Sequence, residues 1–256
     1  MTQHLHTHLS ASPRIKRADQ IAEAIKRWVV INNVQLGDKL PNEKKLMDLF
    51  DCAKGTVREA LKSLEVQGLI TVKTGPNGGA SLAAVPYPLA SKLLRNYLHF
   101  QSPNSSDLYQ LRKLLEPEIA VMAMDALSDK DLHELERITQ LCDHAPQDNA
   151  ERIIQRIAEL DFHNLLAERC GNPILGFIGH FLNDMIKDLV IYKKMQLPEQ
   201  HEFSCANLHY HQALIKALRA KNKTLVQQLM LEHMQSAHQF NLELEAQLTE
   251  QLLVDL

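Results

Sequence analysis

The chain has 256 residues, 45% of them hydrophobic and 23% charged, with a formal net charge of −3. That is ordinary globular composition, long enough for two domains and for a core that needs no disulfide or metal. It excludes a collagen-like chain, and no apolar run approaches the ~20 residues of a membrane-spanning helix.

Residues 1–13 read as a disordered tail, in which His4, His6 and His8 could bind metal loosely but read first as solvated. No signal-like apolar core opens the chain, so a cytoplasmic protein is expected. The four cysteines, Cys52, Cys142, Cys170 and Cys205, have no paired spacing. Free thiols are expected, and neither a zinc ribbon nor a redox dithiol. Charge is uneven. Residues 14–83 hold twelve Lys/Arg against eight Asp/Glu, a balance of +4, while the remainder carries −7. The basic front third points to an anionic partner.

Within 14–83, Ile21, Ala24, Ile25 and Trp28 recur at helical spacing and predict a helix over 14–33. Gly37-Asp38 turns the chain, and Asn42 is placed to cap a second helix carrying Leu46, Leu49 and Phe50. A third helix is predicted over 54–67 from Val57, Leu61 and Leu64, ending at Gly68. LITVKTGPNGGASLA then reads as two short strands around a Gly-rich turn. Three helices and a hairpin make a winged helix-turn-helix, whose recognition helix reads base edges while basic residues grip phosphates. Residues 84–90, AVPYPLA, read as a linker. Beyond it strand signal is almost absent. Helices are predicted near 90–100, 106–126, 129–143, 150–169, 173–195, 203–219 and 222–252, with Pro117 expected to kink the one it lies in and a break at Pro198. The fold class is mainly α: an N-terminal winged helix-turn-helix and, over 91–252, an all-helical bundle.

Gly37-Asp38 with Leu40-Pro41, Glu43, the run Thr56-Val57-Arg58-Glu59-Ala60-Leu61, and Leu64-Glu65 with Gly68-Leu69 follow one another in an order that resembles the winged-helix domain of GntR-type bacterial transcription regulators. The resemblance implies double-stranded operator DNA as partner. It sets Arg58 against the DNA, Lys44 and Lys54 where the family usually has Arg, and Thr56 at the major groove or a phosphate. Gly75, Gly78 and Gly79 would form the wing tip. Ala53 stands where the family has Ser or Thr, which forfeits a helix cap of about 1 kcal/mol. The two lysines forfeit bidentate guanine recognition, implying a different operator or weaker binding.

The second half resembles the FCD ligand-binding domain of the FadR subgroup. The landmarks are Leu111-Arg112 with Leu115-Glu116, Phe162-His163 before Gly171-Asn172-Pro173, His211-Gln212-Ala213-Leu214 with Ala217, and Glu232-His233. Spacing alone puts Glu159 and His163, four apart, on one helix face about 6 Å from each other along the axis. His211 and His233 lie symmetrically about residue 222, so an antiparallel pair would set them at one height. Three imidazoles and a carboxylate suit a divalent transition metal, zinc first and nickel or a similar ion second. Many FCD domains place Asp, His, His, His here; Glu159 falls at the Asp position. Asp161 points to another side of the helix. His180 mirrors His163 across the Gly171 turn and could line the same cavity. Arg112 sits on an apolar face beside Leu108, Leu115 and Ile119 and needs an anion. That anion is either Glu116, one turn away, or the carboxylate of a small organic-acid effector, which family precedent favours. The remaining histidines, His99, His133, His144, His201, His209 and His238, read as ordinary surface or core residues.

These expectations combine as a homodimeric, non-enzymatic transcription regulator, a repressor, switched by a small carboxylate at a metal-containing site. Three alternatives stay open: a regulator for which the ion itself is the signal, a metal that only stabilises the bundle, and a metal-dependent hydrolase fused to a DNA-binding module.

Overall fold

The computed structural model describes residues 16–75, 78–194 and 201–242. The expected tail with its histidines, Pro76-Asn77 of the wing, the break at Pro198 and the continuation of the last helix past 242 lie outside the described residues. The chain divides into two compact units, Met1–Ala90 and Ser91–Leu256. Among the described residues, no helix is long and apolar enough to cross a membrane.

The first unit holds α1 (Arg17–Ile31), α2 (Glu43–Phe50), α3 (Lys54–Val66), β1 (Ile70–Lys73) and β2 (Gly79–Leu82). Ala18, Ile21, Ala22 and Ile25 of α1 are buried, and so are Val57, Ala60, Leu61 and Leu64 of α3. Each set follows the i, i+3, i+4, i+7 spacing of one helix face, so the two helices close on each other around Leu46 of α2. Asn42 caps α2, its side chain accepting from the Lys45 amide at 2.9 Å. Ala53, by contrast, gives α3 no side-chain cap. The strands pair antiparallel, Ile70 opposite Leu82 through Lys73 opposite Gly79. A Cβ at Gly78 would collide with the Lys73 carbonyl, so the turn closes only on glycine.

The linker expectation needs adjustment. Helix α4 (Tyr87–His99) begins inside the 84–90 stretch, because Pro88 at its second position has no amide that the first helical turn needs.

The second unit continues α4 and adds α5 (Ser105–Met124), α6 (Asp129–Gln140), α7 (Asn149–Arg169), α8 (Pro173–Lys194), α9 (His201–Arg219) and α10 (Lys223–Leu242). Its starts are capped as the sequence requires: Asn104 with Asp107, and Ser128 with Asp131, form reciprocal capping boxes, and Asp148 accepts from the Glu151 amide. Helix α5 passes through Pro117 without ending. At Gly179 of α8, a Cβ would lie 3.1 Å from Ile119 and 3.2 Å from Ala167. The missing side chain therefore lets α8 approach α5 and α7 closely. One large core gathers Ile119, Leu135, Phe162, Leu166, Leu214 and Met230, among others.

Asp131 serves two elements. It closes the α6 capping box, and its Oδ1 accepts from Arg169 Nε and Nη2 at 3.1 and 2.9 Å, tying α6 to the end of α7. The Arg169 and Ser128 hydrogen bonds hold its carboxyl well below the usual carboxylate range. Asp131→Ala should remove about 2 kcal/mol of stability from the helical unit, since hydrogen bonds to a charged group are lost together with the cap. Thermal unfolding at pH 7 measures it. A midpoint within 1 °C (approximately) of the parent would show that the bridge carries no net stability.

Candidate metal centre and DNA-reading surface

Three imidazoles meet inside the helical unit. His163 comes from α7, His211 from α9 and His233 from α10, and they are 3%, 2% and 2% exposed. His233 Nε2 lies 3.2 Å from His163 Nε2 and 3.1 Å from His211 Nε2. Two nitrogens bound to one ion at about 2.0–2.1 Å are separated by about 2.8–3.4 Å for ligand angles between right and tetrahedral, so the spacing matches a shared cation.

The local sequence explains the convergence. On α7, Phe162 and His163 belong to a buried face with Glu159 and Leu166. Helices α9 and α10 are joined by a short turn at Lys221, which has φ 49, so residues equidistant from that turn come level. Phe162 then stacks flat on the His211 ring, with centroids 4.0 Å apart and planes 3° from parallel, fixing it in place.

The cluster fits a divalent metal by its own chemistry. His163 Nδ1 faces Glu116 Oε2 at 3.1 Å. A carboxylate can only accept there, so the His163 hydrogen is on Nδ1 and a lone pair is on Nε2. One hydrogen on His233 Nε2 could satisfy one neighbour but not both. His233 Nδ1 is buried without a hydrogen-bond partner among the described residues. A cation at the centre would use all three lone pairs. Burial foremost, then the positive charges around them, pushes His211 and His233 well below the ordinary imidazole value. Burial also lowers His163, against the pull of Glu116. All three are therefore held neutral, the state a metal requires.

Glu159 does not join them. Arg156, one turn earlier and also buried, takes its Oε2 at 2.7 Å. The extra methylene relative to aspartate gives the carboxylate that reach. Asp161 is half-buried and accepts from Asn164 at 3.4 Å. His180 is likewise elsewhere. The buried face of α8 is made by Phe181, Leu182, Met185 and Ile186, which leaves His180 on the flank. It lines a surface pocket with Glu168, Asn172 and Phe177, its Nε2 3.6 Å from Glu168.

Arg112 is fully buried, its Nε donating to Glu116 Oε1 at 3.1 Å and its guanidinium 5.5 Å from the Tyr109 ring centre. Arg112 Nη2 is buried with no hydrogen-bond partner among the described residues. Burial alone would raise the Glu116 pKa; His163 and Arg112 reverse that and bring it down to about 2. What residue spacing did not find is that Glu116 serves both Arg112 and His163. The available signal was an acid four residues beyond an arginine on an otherwise apolar face.

On the first unit, Lys44, Lys54 and Arg58 are exposed, Thr56 is half-buried, and Gly75 and Gly78 flank the turn between the strands. Glu43 gathers two of the cations: Arg58 Nε donates to its Oε1 at 2.9 Å, and Lys54 Nζ lies 3.7 Å from its Oε2. The role of Glu43 on this surface was not read from the sequence.

Two family models match the chain: "Bacterial regulatory proteins, gntR family" over residues 17–77, and "FCD domain" over residues 107–236. Among curated proteins, the HTH-type transcriptional repressor NanR of Enterobacter sp. (strain 638) is 25% identical over 225 residues, covering 87% of this chain and 84% of that protein. The NanR of Klebsiella aerogenes is 25% identical over 226 residues, with the same coverage of both chains. Among solved structures, a Streptococcus agalactiae GntR is 27% identical with a TM-score of 0.57, covering 87% of this chain and 99% of that one.

Proposed function

Because this chain belongs to the gntR family of bacterial regulatory proteins, with an FCD domain following its winged helix-turn-helix, we infer that it is a DNA-binding transcriptional repressor whose grip on its operator is set by a small carboxylate at a metal-containing site. The observation that carries the reading is the buried set of three neutral imidazoles beside a buried guanidinium with a free Nη2. A structural core gains nothing from such a set, since each unpaired buried polar atom costs stability.

His163, His211 and His233 would hold the ion. A divalent ion there would supply a Lewis-acid position for an organic acid. Arg112 Nη2 would be the residue's free donor for a carboxylate, a charge-assisted hydrogen bond inside a water-poor bundle. On the DNA side, Arg58 and Thr56 of α3 read base edges or phosphates, and Lys44 and Lys54 add phosphate contacts, with Gly75 and Gly78 admitting the wing backbone close to the duplex. Two copies would pair to read a two-fold operator. The acid would favour one arrangement of the DNA-reading units over another, and so change the fraction competent to bind. The repressor sign follows the names of the NanR relatives.

Operator affinity of the full chain, measured by fluorescence anisotropy across a panel of organic acids, tests this. An acid should change affinity about 5–150-fold, only with zinc or nickel supplied, and a chelator should abolish the change. No response to any acid would overturn effector control. A response to zinc alone, without acid, would identify the ion as the signal.

A further inference from the structure

The carboxylate of Glu116 is used on both sides. Oε1 takes the Nε hydrogen of Arg112 at 3.1 Å, and Oε2 takes the Nδ1 hydrogen of His163 at 3.1 Å. All three side chains are almost wholly buried. The pair Arg112–Glu116 could have been closed by itself, as a simple four-apart ion pair with both oxygens on the guanidinium. Instead one oxygen is given to each partner. His163 then presents its Nε2 lone pair at the point where His233 Nε2 arrives, 3.2 Å away.

We propose that Glu116 is the positioning residue of the imidazole cluster: it fixes His163 in the Nδ1–H tautomer and links the ion-binding nitrogens to the guanidinium of Arg112. Outer carboxylates of this kind orient a metal-ligating imidazole and raise its basicity. Without the carboxylate, nothing described around His163 Nδ1 selects the hydrogen's position. With it, a ring on α7 is locked by a residue on α5, and the same residue keeps the Arg112 charge compensated. The inference rests on the preceding functional reading only for what the cluster binds. The tautomer belongs to the chain itself.

The test uses the full chain, stripped of metal by chelator and labelled with 15N at histidine. Long-range 1H–15N spectra identify the protonated nitrogen of each ring, the His163 signals being assigned by their loss in His163→Gln. His163 is expected to carry its hydrogen on Nδ1. In Glu116→Gln the hydrogen should move wholly or partly to Nε2, and zinc affinity, read by competition with a chromogenic chelator, should fall about 10–100-fold. Glu116→Gln strands a buried guanidinium and could unfold the bundle. The double variant Arg112→Met/Glu116→Gln removes both charges and should show the same tautomer change and the same loss of affinity. A His163 hydrogen on Nε2 in the metal-free parent overturns the proposal. So does zinc affinity within threefold of the parent in a folded double variant. If the parent takes up no zinc, the metal reading fails, while the tautomer spectrum still decides the role of Glu116.

Discussion

His233→Ala is expected to weaken zinc binding by the full chain about 100-fold or more, a larger loss than outer-residue changes produce. His233 is the imidazole whose Nε2 stands within 3.2 Å of both other rings, so its removal leaves two nitrogens with no shared neighbour. Response of operator binding to organic acids should disappear with it. The parent and variant should also differ in acid. Burial, then the repulsion a proton on His233 would meet from a protonated neighbouring ring and from Arg112, holds His233 well below the ordinary imidazole value, whereas in the unfolded chain it titrates near 6.5. The native cluster stays neutral where the unfolded chain takes up protons. Its contribution to stability is thus complete above about pH 6.5 and drains away as pH falls towards the native values. Thermal midpoints of metal-free protein between pH 8 and 5 should fall in the parent and fall less steeply in His233→Ala. Parallel pH profiles, or unchanged zinc affinity, would remove the cluster from the mechanism.

Arg58→Ala should cost about 1–3 kcal/mol at each half-site, so a two-fold operator should lose at least about a hundredfold in affinity when each half-site loses about 1.4 kcal/mol or more. Arg58 is exposed, and Glu43 holds it by Nε, which keeps the side chain in place while no described residue pairs with its two terminal nitrogens. Lys44→Ala, the removal of a point charge, should weaken binding about equally on all sequences and reduce the salt slope by about 1. Anisotropy on an operator recovered by selection from random DNA, at several salt concentrations, distinguishes the two. Arg58→Ala within twofold of the parent on that operator would show that Arg58 does not read it.

The helices were legible because burial and chain chemistry agreed. Ile21 and Ile25 marked one face of α1, Val57, Leu61 and Leu64 marked α3, and Asn42 and Gly68 marked ends. Helix α4 starts earlier than the sequence pattern predicts, because Pro86 and Pro88 read as breakers, although Pro88 lies in a first helical turn that accepts proline. The candidate site was legible as far as helical geometry reaches. Spacing levelled His211 with His233, since two straight helices joined by a tight turn have predictable heights, and the FCD resemblance implied that His163 joins them. It could not foresee that Arg156 would capture Glu159, because competition between a metal and a neighbouring guanidinium depends on rotamers. Nor could it place His180, whose direction is set by which residues of α8 pack inward. Glu116 was weighed only as one of two possible anions for Arg112, because its contact with His163 spans 47 residues.

The imidazoles stand on α7, α9 and α10, and the carboxylate behind them stands on α5. An ion at that junction would staple helices that are far apart along the chain, closing long loops that are free when it leaves. Loop closure withdraws entropy from the unfolded chain, and ligand binding to the native form adds to it by mass action. Occupancy would then be legible as melting temperature in the second unit, with the first unit's transition unmoved.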